Sequence, residues 1–367
     1  MSPLIPRLLD LTIQIQQIPA PTFQEAERAK FVCTLFEQEA LADIHTDAVG
    51  NVYARLPGKG TAAPLVVSAH TDTVFPASTP LTVRRTPDKI YGPGIGDNSL
   101  AVASLFALLW SLRQKNYTPR GDLWLVANTG EEGLGDLLGM RAVVERFGRE
   151  PRAYLILEGM SYGKVYHRAL GVRRYRIHAA TEGGHSWGSF GKPSAIHELA
   201  ALITRLTALP SPEKPRTSLN VGIIQGGTSI NTIAPHASLD LDLRSESPQA
   251  LAALVKQVQA LVREANGLDI EFTAEVIGDR PAGEISPYHP LVRLALGCLK
   301  AQDTQPQLNI GSTDANIPLS QGLPAICIGL TTGHGAHTIG EYIDLPPLEK
   351  GVPQLVSLVE KVFSADL

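Results

Sequence analysis

Residues 65–73 read LVVSAHTDT. An apolar run that stops on His70, Thr71 and Asp72 is the signature of a buried strand ending in polar groups. LWLVANTGEEG (123–133) and AYLILEGM (153–160) repeat the pattern and end on Glu131, Glu132 and Glu158. YGPGIGDN (91–98) places Asp97 in a glycine-rich turn. SLAVASLFALLWSLRQ (99–114) follows, apolar nearly all round and so expected as a buried helix. His337 sits in a glycine-rich loop, TTGHGAHTIGEY (331–342). Strand-like runs at 51–56, 64–69, 122–127 and 154–157 alternate with helical stretches. That order predicts an α/β fold with a mixed, mostly parallel sheet. Such sheets present their sites at the carboxyl ends of strands.

Near 170 the texture changes. GVRRYRIHAA (171–180) alternates apolar and polar residues, as a half-exposed antiparallel strand does. An amphipathic helix over 192–208, strands SLNVGIIQGG and ASLDLDLRSE, a helix over 248–265 and the strand LDIEFTAEVI complete the order strand-helix-strand-strand-helix-strand. That is the ferredoxin-like α+β unit. After the proline-containing link DRPAGEISPYHP, a helix at 289–301, a strand at 324–330 and a helix at 348–363 return to the α/β type. The expected organisation is one domain from 1–169 and 280–367, with a smaller one inserted at 170–279.

The 367 residues exceed one comfortable core. A formal net charge of −4 with scattered basic residues excludes an electrostatic case for nucleic acid. No apolar run reaches the ~20 residues of a membrane span. Residues 1–19 read as an amphipathic helix without the apolar core and cleavage site of a signal peptide. Cys33, Cys298 and Cys327 are far apart in apolar contexts, which suggests buried thiols. The expected compartment is the reducing cytoplasm.

Imidazole nitrogen and carboxylate oxygen suit a hard or borderline divalent cation. His70 and Asp72 lie two apart on a strand and so share a face. His70 can bind a metal while Asp72 accepts from its other ring nitrogen; a solvated polar pair is the plain alternative. Asp97 could cap the following helix, but Asn98 could do so equally well, leaving Asp97 to bridge two cations. Adjacent Glu131 and Glu132 would be costly if buried unpaired. With Glu132 as a ligand and Glu131 as the base toward the metal's water, that cost is met. An exposed acidic turn is the alternative. Glu158 ends a wholly apolar strand. His337 offers a second imidazole, with His334 as its competitor, and Glu341 and Tyr342 could orient their loop. In the inserted domain, His185 and Asn231 can donate to an oxyanion, and Arg244 can fork onto a carboxylate.

Together these segments, from IPAPTFQEAE (18–27) to AHTIGEYI (336–343), resemble metallopeptidase family 20. That family includes glutamate carboxypeptidase, peptidase T, acetylornithine deacetylase and succinyl-diaminopimelate desuccinylase. The resemblance implies a di-zinc catalytic domain and an inserted lid that dimerises. It implies one metal held by His70, Asp97 and Glu158 and another by Asp97, Glu132 and His337. Asp97 would bridge, with a cis peptide to Asn98. Glu131 would be the general base, and Asp72 would orient His70. His185 would donate to the oxyanion of the partner subunit. Asn231 and Arg244 would hold the substrate carboxylate, and Gly311, in GSTDAN (311–316), would line the substrate cleft. Zinc is the expected metal, with cobalt and manganese also suited. In the family, Glu at the position of Glu158 marks carboxypeptidases and deacylases, whereas the wording around HTDTV and TTGHGAHT resembles the peptidase T-like branch.

The reading is a two-metal hydrolase of small peptides or N-acyl amino acids with a free carboxylate. The alternatives are a peptidase T-like aminopeptidase, a mononuclear metal enzyme with another ligand subset, and a non-catalytic binding protein on a hydrolase fold. The expected partners are a small substrate and a second copy through the lid, with no nucleic acid and no membrane.

Overall fold

The computed structural model describes residues 4–365. The chain divides into two compact units. One comprises the chain through Ala169 and from Gly283 onward; the other is Leu170–Ala282.

The first unit opens with α1 (Leu4–Gln16) and α2 (Ala26–Gln38). The helix expected over 1–19 is thus α1; residues 1–3 lie outside the described residues. Then come β1 (Ala42–Thr46), β2 (Val52–Leu56), β3 (Leu65–His70), β4 (Arg84–Arg85), β5 (Lys89–Tyr91), α3 (Leu100–Gln114), β6 (Leu123–Asn128), α4 (Leu138–Phe147), β7 (Ala153–Glu158) and β8 (Lys164–Ala169). In the inserted unit the order is β9 (Gly171–Thr181), β10 (Gly184–His185), α5 (Ala195–Thr207), β11 (Thr217–Gly226), β12 (Thr232–Ile233), β13 (His236–Ser245), α6 (Pro248–Ala265) and β14 (Ile270–Arg280). The first unit resumes with β15 (Gly283–Glu284), α7 (Pro290–Lys300), β16 (Gln307–Gly311), α8 (Asn316–Ser320), β17 (Ala325–Gly329), β18 (Gly333–His334), β19 (Tyr342–Asp344) and α9 (Leu348–Ser364).

The main sheet runs β1-β2-β6-β3-β7-β17-β8-β15, with β16 paired to β8. Its centre, β6-β3-β7-β17, is parallel, and antiparallel strands flank it on both sides. β3 is buried at every position and β7 at all but its last, because helices cover a parallel sheet on both faces. α3 packs on β3 and β7, with α1 and α9 against it. The stretch Ile95–Gln114 is long and apolar enough to cross a membrane, but most of it is buried inside the fold. It serves as a core helix.

A second, small sheet has the order β18-β19-β5-β4. Tyr342 faces Tyr91 across it. It joins the loop holding His337, between β18 and β19, to the turn holding Asp97, which follows β5.

The inserted unit is a four-stranded antiparallel sheet, β11-β13-β9-β14, packed with α5 and α6. Tyr175, Ile177, Leu239, Leu241 and Leu243 face the helices. The alternate residues carry ion pairs, Arg174 with Asp242 and Arg176 with Asp240. This is the ferredoxin-like arrangement predicted from the order of elements.

Candidate metal centre

Parallel pairing of β6, β3 and β7 brings their carboxyl ends to one edge of the sheet. His70 ends β3, Glu158 ends β7, and Glu131 and Glu132 follow β6. Asp97 arrives from the glycine-rich turn. Gly159 permits its approach: a Cβ there would lie 2.0 Å from the Gly96 carbonyl oxygen. The peptide between Asp97 and Asn98 is cis.

Asp97 stands between two imidazoles. Its Oδ1 is 3.2 Å from His70 Nε2, and its Oδ2 is 3.3 Å from His337 Nε2. Glu158 Oε2 lies 3.9 Å from the same His70 nitrogen. Glu132 Oε1 lies 3.2 Å from the same His337 nitrogen. Two triads result, His70–Asp97–Glu158 and Asp97–Glu132–His337, each with candidate ligand atoms within 4.8 Å of one another. A third cluster, His70–Glu131–Glu132, meets the same limit. His334 joins none of these and instead sits in β18, its ring 5.9 Å from that of Tyr342.

The supporting contacts explain how the loops are held. His70 Nδ1 lies 3.2 Å from the Asp72 carbonyl oxygen and 3.5 Å from its carboxylate. Asp72 is wholly buried and accepts from the N–H groups of Glu131 (2.9 Å) and Glu132 (2.8 Å) and from the Thr22 hydroxyl (2.9 Å). It therefore fixes the Glu131–Glu132 turn as well as facing His70. Asn98 does not cap α3, which has no side-chain cap. Its amide donates to Leu157 O (2.9 Å) and accepts from Gly159 N–H (3.0 Å), bracketing Glu158. Glu341 is fully buried; its carboxylate accepts from Gly94 (3.0 Å), Gly96 (2.7 Å) and Asp97 (2.8 Å) N–H. The loop of His337 thereby grips the turn of Asp97.

The electrostatics call for cations. Burial and the neighbouring Asp97, Glu131 and Asp314 push Glu158 well above the carboxylate range, against the pull of His70. Burial also works to raise Asp97, but hydrogen bonds from His337 and His70 hold it low. Burial works to lower His70, and Asp72 and Asp97 overcome it and raise it well above its ordinary value. Asp97 and Glu132 lift His337 to about 10. The carboxylates of Asp97, Glu131, Glu132 and Glu158 crowd two imidazoles, an excess of negative charge that divalent cations would balance. The donor set, the shared carboxylate with its oxygens facing opposite imidazoles, and the excess negative charge all fit a pair of divalent ions.

Gly311 ends β16, and the space its Cβ would take is filled by the Tyr166 ring at 2.8 Å. On the inserted unit, His185 pairs with Thr232. Its Nδ1 accepts from Trp187 (3.2 Å) and Gly188 (3.3 Å) N–H, which leaves Nε2 as the protonated nitrogen. Asn231 accepts from the Ser229 hydroxyl through Oδ1 (3.0 Å), so its NH₂ group remains to donate. Arg244 places Nε (2.7 Å) and Nη2 (3.3 Å) on Asp242, a carboxylate that also receives Arg174 Nε (3.0 Å). The three cysteines are free.

The sequence profile of peptidase family M20/M25/M40 matches residues 66–361. The YqjE protein of Bacillus subtilis is 22% identical over 97% of this chain and 98% of its own. Peptidase T of Aeromonas hydrophila is 25% identical over 90% of each chain. Carboxypeptidase G2 of Pseudomonas sp. is 24% identical over 93% of this chain and 83% of its own. Among solved structures, a tripeptidase from Staphylococcus aureus superposes with a TM-score of 0.83 at 21% identity, covering 98% and 99% of the two chains. The YXEP protein of Bacillus subtilis, a dinuclear metal-binding peptidase, does so at 0.71 and 17% identity, covering all of both chains.

Proposed function

The chain belongs to peptidase family M20/M25/M40, and from that premise we propose that it is a two-metal exopeptidase or deacylase. Its substrates would be small peptides or N-acyl amino acids that keep a free C-terminal carboxylate. Family membership carries the coarser statement, a metallo-exopeptidase or amidohydrolase. The observation that supports a two-ion site is Asp97, with one oxygen toward His70 and the other toward His337.

His70, Asp97 and Glu158 would hold one ion, and Asp97, Glu132 and His337 the other, zinc first among the candidates. The ions would polarise the scissile carbonyl and acidify water. Glu131 is buried beside both His70 and Glu132. Its carboxylate would take a proton from the attacking water and return it to the leaving amine nitrogen. Its backbone N–H is held on Asp72, which fixes the point from which that side chain starts. Glu rather than Asp at 158 favours carboxylate-bearing substrates; Arg244, whose Nε and Nη2 rest on Asp242, would anchor one through Nη1 or by exchanging partners. The similarity to peptidase T and to a tripeptidase supports a second reading, an aminopeptidase of di- or tripeptides.

A panel of di- and tripeptides and N-acyl amino acids, each with its N-terminus free or blocked and its C-terminus free or amidated, separates these readings. The proposal expects hydrolysis that tolerates a blocked N-terminus and is lost on amidation. A strict need for a free N-terminus would establish the aminopeptidase instead.

A further inference from the structure

Residues 18–28 lie ahead of every candidate ligand in sequence, yet they touch two of the ligand-bearing turns. Pro21 bridges Thr73, Thr73 N–H donates to Ala20 O (2.9 Å), and Thr22 N–H donates to Thr73 O (3.3 Å). From the first turn of α2, Arg28 reaches back. It is 2% exposed, and its Nη1 donates to Thr71 O (2.7 Å) while Nε and Nη2 donate to Ile18 O (3.0 and 2.6 Å). Thr71 is the residue between His70 and Asp72. Three residues before Arg28, the buried Glu25 accepts from Gly130 N–H (3.1 Å), the residue before Glu131.

Burying a guanidinium and a carboxylate is expensive, and an apolar pair could fasten a helix more cheaply. What these two add is direction. Arg28 ends on the backbone of the His70–Asp72 turn, and Glu25 ends on the backbone of the Gly130–Glu132 turn. Burial lowers the Arg28 guanidinium, and the nearby Asp72 and Glu25 carboxylates offset part of that, whereas burial and Asp72 push Glu25 up. Thr22 closes the bracket through its hydroxyl on Asp72.

We propose that Glu25 and Arg28 are positioning residues, a charged bracket at the start of α2 that sets the spacing of the His70 and Glu131–Glu132 turns. They touch neither metal nor substrate. The inference rests on the metal-centre reading above.

The test is titration of the metal-free chain with cobalt(II), followed by calorimetry and by the visible spectrum, alongside urea unfolding. Arg28→Met and Glu25→Ala should bind cobalt about 10–100-fold more weakly, as loss of an outer support does, with an altered spectrum. Arg28→Lys should recover only part, because a single ammonium nitrogen cannot stand at the three places where the guanidinium nitrogens meet Thr71 O and Ile18 O. If Arg28→Met does not fold, Arg28→Lys and Glu25→Ala decide by the same two readings. Wild-type affinity and spectrum in these variants, with stability alone reduced, would overturn the bracket. Fewer than two ions in the wild type would instead overturn the metal-centre reading beneath it.

Discussion

Replacing Glu341 by glutamine should loosen the turn that carries Asp97 and weaken both ions together. Oε1 of Glu341 serves two donors, Gly96 at 2.7 Å and Asp97 at 2.8 Å, and Oε2 serves Gly94 at 3.0 Å. An amide would keep its oxygen on the two-donor side and turn its NH₂ toward the Gly94 N–H. One hydrogen bond to a charged acceptor is lost, which costs ~1.5–3 kcal/mol. Burial offsets part of this. It pushes Glu341 up to about 7, and a neutral amide escapes that penalty. The net effect is roughly 1–2 kcal/mol, or about 5–30-fold in affinity at ~1.4 kcal/mol per decade. Because Asp97 faces both imidazoles, the two binding steps should weaken alike. Calorimetric titration of the metal-free Glu341→Gln chain with zinc, beside urea unfolding, reads both effects. Affinity and unfolding free energy both unchanged within ~0.5 kcal/mol would refute the clamp.

Asp97→Asn should abolish or gravely weaken both ions, whereas Glu158→Gln should mainly weaken the one on His70; metal counts in the two variants check this. Arg244→Ala should raise KM more than it lowers kcat, if the guanidinium only anchors a carboxylate; the opposite split would give it a part in the transition state. Metal binding near pH 7.5 should release protons, on the order of two to three per chain, because His70, His337 and Glu158 are all held above their ordinary values and must lose a proton to ligate. Calorimetry in buffers of different ionisation enthalpy measures the release, and affinity should fall as the pH drops. In the metal-free chain the sign reverses. The raised His337 contributes stability that is full below its unfolded value of ~6.5 and lost as the pH climbs through about 10.

The strand ends were legible because an apolar run halted by His or Glu is a strong local signal. His70, Glu131, Glu132 and Glu158 all sit at the edge that parallel pairing creates. The ferredoxin-like unit was legible from the order of its elements and the alternation within them. Less was visible where long-range contacts decide. Strands of two or three residues, such as Lys89–Tyr91 and Tyr342–Asp344, have no periodicity to read, yet they join Asp97 to His337. Asn98 has the chemistry of a helix cap and is used instead to bracket Glu158. Asp72 was expected to serve His70, and its work on the backbone of Glu131 and Glu132 needed the fold to be seen. The pairing of Arg244 with Asp242 had a local signal, since residues two apart on a strand share a face. Arg28 had none: an arginine in an amphipathic helix reads as solvated until burial shows otherwise.

The metal content and turnover of the Glu131→Gln chain test the central claim most directly. If Glu131 is the base and the two triads through Asp97 hold the ions, the variant keeps two ions per chain and loses turnover by ~10²–10⁴-fold. Loss of an ion from the variant would make Glu131 a ligand, as in the His70–Glu131–Glu132 cluster, and would contradict the account.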